Sequence, residues 1–429
     1  MEKLRVGILG GSRGMDFAMR MLLDYEYAEI TAVCETYPVL RKKCEDFFRE
    51  QGRSVFCCDS FEAMLDYGID LVILANYANE HAAYAVRALE RGVHVYSEVQ
   101  PVQTLAEACL LCDAVEKSGK VYAYGENYCY MDNIFAMRQR YEAGDIGEGV
   151  CLEGTFCNDC SPKWHLLTRG IRDHWRNYVP STFYCSHSIG PLLFSTGRRP
   201  VRVNGLEMPR MDYMAENGAR SGSAAMETME LDNGGMARSL NGNLRHPYIA
   251  SYRIFGEHGS IEAEPGRITV YRYDKEFHYD ITGESVSYTP FDHRPKKDHG
   301  SISNSDLTGF GYFIAKILGD PLGEKYSIDV YQALGMALPG LLAYRSIVDH
   351  GMPYEVPDLR DLTVRERYRN DFYSTDPRTP EEFRLPTNKS GTPDVDESVY
   401  AAVRARLAQV DLTSWIHPAP SSSPESWTK

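Results

Sequence analysis

The sequence predicts an α/β protein in two unequal parts: an N-terminal doubly wound parallel sheet, then an α+β unit built on a large open, mostly antiparallel sheet. Two observations carry this. Between residues 5 and 124 short β-branched runs alternate with amphipathic stretches of helical period, the pattern of strands joined by crossover helices. Beyond Gly125 the strands lengthen and follow one another with few helices between them, as in a sheet covered by helices on one face.

Six strands are expected first, at 5–9, 30–35, 54–58, 71–75, 93–97 and 121–124. The helices between them fall at 17–25, 38–51, 61–67, 80–91 and 105–117, with Gly52, Gly68, Gly92 and Gly119 as stops. The second unit is expected to hold strands at 150–156, 201–206, 223–231, 236–243, 251–255, 261–264 and 268–273, and helices at 133–141, 186–195, 308–318 and 330–349. The expected boundaries are a dinucleotide domain over 1–124 and a substrate and oligomerisation domain over 125–385. Residues 386–429 read as a TNKSGTPD linker, a short helix at 397–407 and a tail, an appendage to the rest.

The 429 residues carry 46 Lys and Arg against 60 Asp and Glu, a net charge of −14. Such a balance repels phosphate backbones and anionic lipid, so neither nucleic acid nor membrane is an expected partner. No apolar run reaches the roughly 18 residues of a membrane helix. The opening MEKLRVGILG leads directly into a strand, so a cytoplasmic location is expected. Eleven cysteines, most in apolar segments, point to reduced buried thiols. The pairs Cys109/Cys112 and Cys157/Cys160 lack the flanks of a zinc site, and no metal is expected.

The chemistry begins at Gly10, Gly11 and Gly14, which with Ser12 and Arg13 lie between the first strand and the first helix. A dinucleotide pyrophosphate needs a turn without β-carbons, so that backbone N–H groups can reach its charge. Glu35 closes the second strand, where a carboxylate accepts hydrogen bonds from ribose hydroxyls. It also repels a 2′-phosphate, which favours NAD over NADP.

Through RVGILG, AVCE, LVILANYANEH, GVHVYSEVQPVQTLAEA and DVYQALGMALPGLLAYRSIVDHGMPYEVPD, residues 5–360 resemble the Gfo/Idh/MocA oxidoreductase family. The resemblance implies a Rossmann domain, a second domain whose open sheet is often buried in an oligomer (a homodimer or homotetramer), and NAD(P)-linked chemistry on a sugar or polyol hydroxyl. It also implies cofactor contacts from Asn76, Asn79, His81, Glu98 and Asn127. Two departures stand out. The glycine turn is one residue shorter than the family's, so Ser12 or the Gly10–Gly11 pair takes the place of the second glycine. The Glu-Lys-Pro motif reads Ser97-Glu98-Val99-Gln100-Pro101, with the lysine gone.

GENYCY, EGTFCND and YCSHSIGPLLFSTGRRP are similar to a lysine-lacking branch, the NAD-dependent α-N-acetylgalactosaminidase type of glycoside hydrolase. On that resemblance Tyr184 and His187 sit at the nicotinamide face, with Glu126 beneath and Asn158 on the adjacent strand, where the branch has a histidine. Independently of it, removal of a hydroxyl proton at neutral pH suits an imidazole, and Tyr184 lies three residues from His187. Substrate contacts are further expected from Arg172 and Trp175, in a loop that also holds His165, Arg169, His174 and Arg176, and from His299.

The leading expectation is an NAD(H)-dependent oxidoreductase of a sugar or glycoside hydroxyl. One alternative is a redox-neutral glycosidase: transient oxidation at C3, loss of the aglycone, addition of water and re-reduction. A second is a dinucleotide-binding sensor without turnover.

Overall fold

The computed structural model describes residues 2–18, 25–246, 248–273, 279–284 and 301–410. The N-terminal part runs β1 (Leu4–Leu9), α1 (Arg13–Phe17), β2 (Ala28–Cys34), α2 (Pro38–Glu50), β3 (Phe56–Cys58), α3 (Phe61–Tyr67), β4 (Leu71–Leu74), α4 (His81–Glu90), β5 (His94–Ser97), α5 (Leu105–Ser118) and β6 (Tyr122–Tyr124). All pairings are parallel, in the order β3-β2-β1-β4-β5-β6. Strands covered on both faces read as unbroken apolar runs, and all four residues of β4 are buried. The order reverses between β1 and β4, which opens a crevice at their carboxyl ends.

The chain continues through α6 (Asp132–Glu142), β7 (Gly149–Cys157), α7 (Trp164–Thr168), α8 (Cys185–Thr196), β8 (Pro200–Glu207), α9 (Asp212–Ala215), β9 (Ala224–Leu231), β10 (Met236–Gly242), β11 (Ile249–Gly256), β12 (Gly259–Glu264), β13 (Arg267–Tyr273) and β14 (Tyr279–Glu284). It ends with α10 (Ser301–Ile317), α11 (Pro321–Tyr326), α12 (Val330–Val348), β15 (Tyr354–Glu355), α13 (Leu362–Tyr368) and α14 (Glu397–Leu407). Nine strands form one sheet in the order β14-β13-β12-β11-β7-β10-β9-β8-β15, antiparallel except for β7 beside β10. The expected fold class, a parallel doubly wound sheet followed by a mostly antiparallel one, is therefore the observed one.

The inner face of the large sheet is covered by α8 and α12, and all twelve residues of α8 are buried. Gly154 on β7 permits the closest approach: a β-carbon there would lie 1.8 Å from the Ser188 carbonyl oxygen. The outer face carries a row of alternating charge across four strands, Arg238–Glu153 at 2.8 Å, Glu153–Arg253 at 3.6 Å and Arg253–Glu262 at 3.0 Å. Exposed apolar residues flank that row, with Leu206, Met226, Met236 and Phe255 the most open to solvent.

Several expectations change, among them the first helix, expected at 17–25 and observed at Arg13–Phe17. The helix expected at 308 starts at Ser301, because SISNSD reads locally as a polar loop. Strand β14 was not expected at all. The described part of the segment after Pro386, residues 387–410, packs down instead of hanging as an appendage. The Thr387 hydroxyl donates to the Arg220 carbonyl, the Lys389 amide donates to Glu207, and Tyr400 and Val403 of α14 are fully buried. Its polar composition serves contacts distant in sequence, which local pattern does not reveal.

Beneath α8 lies an ionisable group. Glu227, wholly buried on β9, accepts two hydrogen bonds from Asn241 Nδ2 at 2.8 and 3.0 Å. Asn241 also reaches Ser239, whose hydroxyl meets that of Ser188 on α8. Burial pushes the Glu227 carboxyl up to about 7. A carboxyl whose folded value exceeds its unfolded one adds stability that is complete below the unfolded value near 4.5 and is lost as pH rises through 7. We therefore expect up to roughly 3 kcal/mol of pH-dependent stability from this group. Glu227→Gln should flatten the fall between pH 5 and 8 in denaturant titrations, and an unchanged slope would count against the assignment.

Candidate active site

The crevice at the switch point is a cavity of about 580 Å³ lined from both parts of the chain, within the range of small-molecule sites. Gly10, Ser12, Arg13, Glu35 and Asn76 line it from the Rossmann side, and Arg169, His174, Trp175 and Arg176 from the second part. Gly10 has φ +102°, and a β-carbon on it would stand 2.6 Å from the Ala75 carbonyl oxygen. Only glycine holds that turn without strain. The Gly11 amide donates to Glu35 Oε2 at 2.7 Å and the Tyr37 amide to Oε1 at 2.8 Å, which fixes the carboxylate across the turn. A bound dinucleotide fits this lining. Asn76 Oδ1, His174 Nε2 and Trp175 Nε1 are buried without a hydrogen-bond partner among the described residues, a state normally relieved by a ligand or water.

Other residues expected at the cofactor are held by protein groups. Arg13 bridges Glu98 at 2.7 Å and Asp306 of α10 at 2.7 Å, so its guanidinium ties the glycine turn to the second part. Asn79 donates to Asp376 at 2.7 Å. His81 donates through Nδ1 to the Gln100 carbonyl at 2.9 Å, and burial pushes it down to about 4, so it stays neutral. Asn127 opens the turn Asn127–Tyr130, half-buried beside Glu126.

Where the cavity ends, an acid–base group begins. Arg176, at the cavity wall, donates to the Tyr184 hydroxyl at 2.8 Å. The Tyr184 ring stacks on His187, centroids 5.0 Å apart at 17°. His187 Nδ1 lies 2.7 Å from Glu126 Oε1, and Glu126 is wholly buried with Oε2 unpartnered among the described residues. Tyr128 and Phe156 wall the imidazole at 4.6 and 4.7 Å, and the Tyr252 hydroxyl donates to the His187 carbonyl at 2.8 Å. Asn158, half-buried at the end of β7, is held by its amide on the Gly242 carbonyl. The sequence-predicted Glu126, Tyr184 and His187 are thus brought together.

Residues 4–126 match the family model GFO_IDH_MocA, described as oxidoreductase family, NAD-binding Rossmann fold. Over those residues the chain is similar to the NAD-binding part of that family. A glycosyl hydrolase family 109 protein of Shewanella amazonensis is 23% identical over 404 residues, covering 83% of this chain and 86% of that protein. An α-N-acetylgalactosaminidase of Shewanella oneidensis is 23% identical over 401 residues, with 83% and 85% covered. Among solved structures, an Agrobacterium radiobacter oxidoreductase with NAD+, L-tartaric acid and magnesium aligns at TM-score 0.66, 18% identity, over 83% of this chain and 99% of its own. An Azotobacter vinelandii inositol dehydrogenase homologue with NADH and myo-inositol gives 0.64 at 16%, covering 82% and 98%. These structures share the fold.

Gln100, between Val99 and Pro101, has a role that sequence reasoning missed. Its amide nitrogen donates to the Phe183 carbonyl at 2.7 Å and to Ser186 Oγ at 2.8 Å, and its Oε1 accepts from the Tyr124 hydroxyl at 3.3 Å. It anchors the start of α8, and with it Tyr184 and His187. The aromatic walls Tyr128 and Phe156 were likewise not singled out, and Arg176 was named only as one of its loop. Trp175, expected as a substrate contact, lines the same cavity as the glycine turn and Glu35. Arg172 instead pairs with Asp394 at 3.0 Å, because the neighbouring C-terminal segment supplies carboxylates. His299 lies outside the described residues.

Gly10→Ala should cost on the order of 1–3 kcal/mol through backbone strain and crowding. It should lower the melting temperature and abolish NAD+ binding by calorimetric titration. Wild-type affinity in the variant would contradict the turn's assigned part.

Proposed function

We propose that the protein is an NAD(H)-dependent oxidoreductase acting on a secondary hydroxyl of a sugar or glycoside. The observation that carries this reading is the Glu126–His187 pair, held at 2.7 Å next to a groove whose glycine turn and Glu35 fit a dinucleotide. The acidic Glu35 favours NAD by repelling a 2′-phosphate.

Glu126 accepts from Nδ1 of the imidazole, which leaves Nε2 as the nitrogen that takes a proton. His187 is thereby set up to remove the substrate's hydroxyl proton, and Glu126 stabilises the imidazolium that forms. The Arg176 guanidinium donates to the Tyr184 oxygen, so that hydroxyl can direct its own hydrogen at the same substrate oxygen. Tyr128 and Phe156 present apolar faces to the C–H faces of a ring. Bound NAD would supply the hydride acceptor.

A second reading, a redox-neutral glycosidase, is favoured by the names of the curated relatives and by Gln100 in place of a lysine. His187 would then take a carbon-bound proton next to a transient ketone. Purified protein with aryl glycosides and no added cofactor separates the two: aglycone release without net NADH supports the glycosidase, and stoichiometric NADH from a free sugar supports the dehydrogenase. Neither outcome with a wide panel would sink both.

We further infer a homo-oligomer assembled through the outer face of the nine-stranded sheet. Its alternating charged row with apolar flanks is self-complementary. A cytoplasmic location is supported by eleven unpaired cysteines. No helix among the described residues is long and apolar enough to cross a membrane.

His187→Ala should lower kcat/KM by about 10³ or more and Glu126→Gln by about 10². Circular dichroism and NAD+ affinity should stay near wild type. Turnover that survives His187→Ala would rule out its role as base.

A further inference from the structure

We propose that α14 is a latch on the adenosine end of the dinucleotide groove, holding the 164–176 loop over the bound cofactor so that the protein retains it between turnovers. This rests on the dinucleotide reading above and concerns residues outside the acid–base group.

The loop reaches the groove from the second part of the chain, and Leu166, Leu167 and Arg169 line the same cavity as Glu35 and Tyr37. Two contacts cross the mouth. The Arg169 guanidinium lies 4.5 Å from the centre of the Tyr37 ring, next to the carboxylate that marks the ribose position. The Tyr77 ring meets His174 edge-on, centroids 4.9 Å apart. A dinucleotide seated under these side chains leaves only when they part.

The loop cannot part freely because its turn is built onto α14. Arg169 and Gly170 both hold positive φ, +54° and +63°, and a non-glycine residue in that region needs outside restraint. The restraint is visible. Arg404 Nη1 donates to the Gly170 carbonyl at 2.8 Å, and a β-carbon on Gly170 would lie 2.8 Å from the Tyr400 carbonyl oxygen and 2.9 Å from the Arg404 amide. Two residues on, Arg172 pairs with Asp394, just before α14. Tyr400 is wholly buried, and its hydroxyl donates to the Gly218 carbonyl at 3.3 Å, which anchors the helix at its back. Loop opening and α14 displacement are therefore one event, and strength at the α14 contact sets the escape rate.

The test follows NADH release from the full-length protein by fluorescence, with excess NAD+ added as competitor. The double variant Arg172→Ala/Arg404→Ala should release NADH at least ten times faster than wild type, with melting temperature near wild type. Arg169→Ala, which leaves α14 untouched, should show the same acceleration, so a double variant that fails to fold does not shield the proposal. Trypsin should also cut after Arg169 faster in the double variant. Release within twofold of wild type in both variants overturns the latch and leaves the dinucleotide reading standing. A wild type that binds no NADH overturns both.

Discussion

The site depends on how closely α8 lies against the nine-stranded sheet. A helix packed through side chains stands 8–10 Å from its neighbour, and here a glycine on β7 removes that spacer so that backbone meets backbone at Ser188. The approach drives the imidazole of His187 down between Tyr128 and Phe156 and onto the carboxylate of Glu126. A carboxylate–imidazole hydrogen bond so deep keeps its geometry only when it is fixed from outside, and the fixing is done by Gln100 at the start of the helix and Tyr252 beneath it.

The two parts of the chain meet at charges as well as at this site. Arg13 belongs to the glycine turn, Glu98 to the end of β5 and Asp306 to α10, yet they share one guanidinium. Burial pushes the Glu98 carboxyl up and the adjacent guanidinium pulls it back. The glycine turn is thus already tied to the part of the chain that carries Tyr184 and His187.

Much of this was legible in the sequence, for identifiable reasons. Strands β1, β4, β5 and β6 are mostly buried and read as apolar runs, and Gly10, Gly14 and Glu35 keep fixed offsets because a strand-turn-helix permits little else. His187 and Tyr184 stood out through the resemblance their segment carries, with residue type and spacing in accord. What stayed hidden acts over distance. Gln100 reads as one more polar residue until Phe183 and Ser186, more than eighty positions on, are seen to accept from it. Arg172 and Arg176 are alike in sequence; only the fold turns one toward Asp394 and the other toward Tyr184. The polar C-terminal segment reads as a linker because its partners, Glu207 and Arg220, lie on other elements.

The strand glycine at 154 also serves as a marker. Any relative with even a methyl group there must lift its helix off the sheet, and the imidazole rises with it, away from the buried carboxylate. That single position therefore sorts homologous chains into those able to build this geometry and those that share only the architecture.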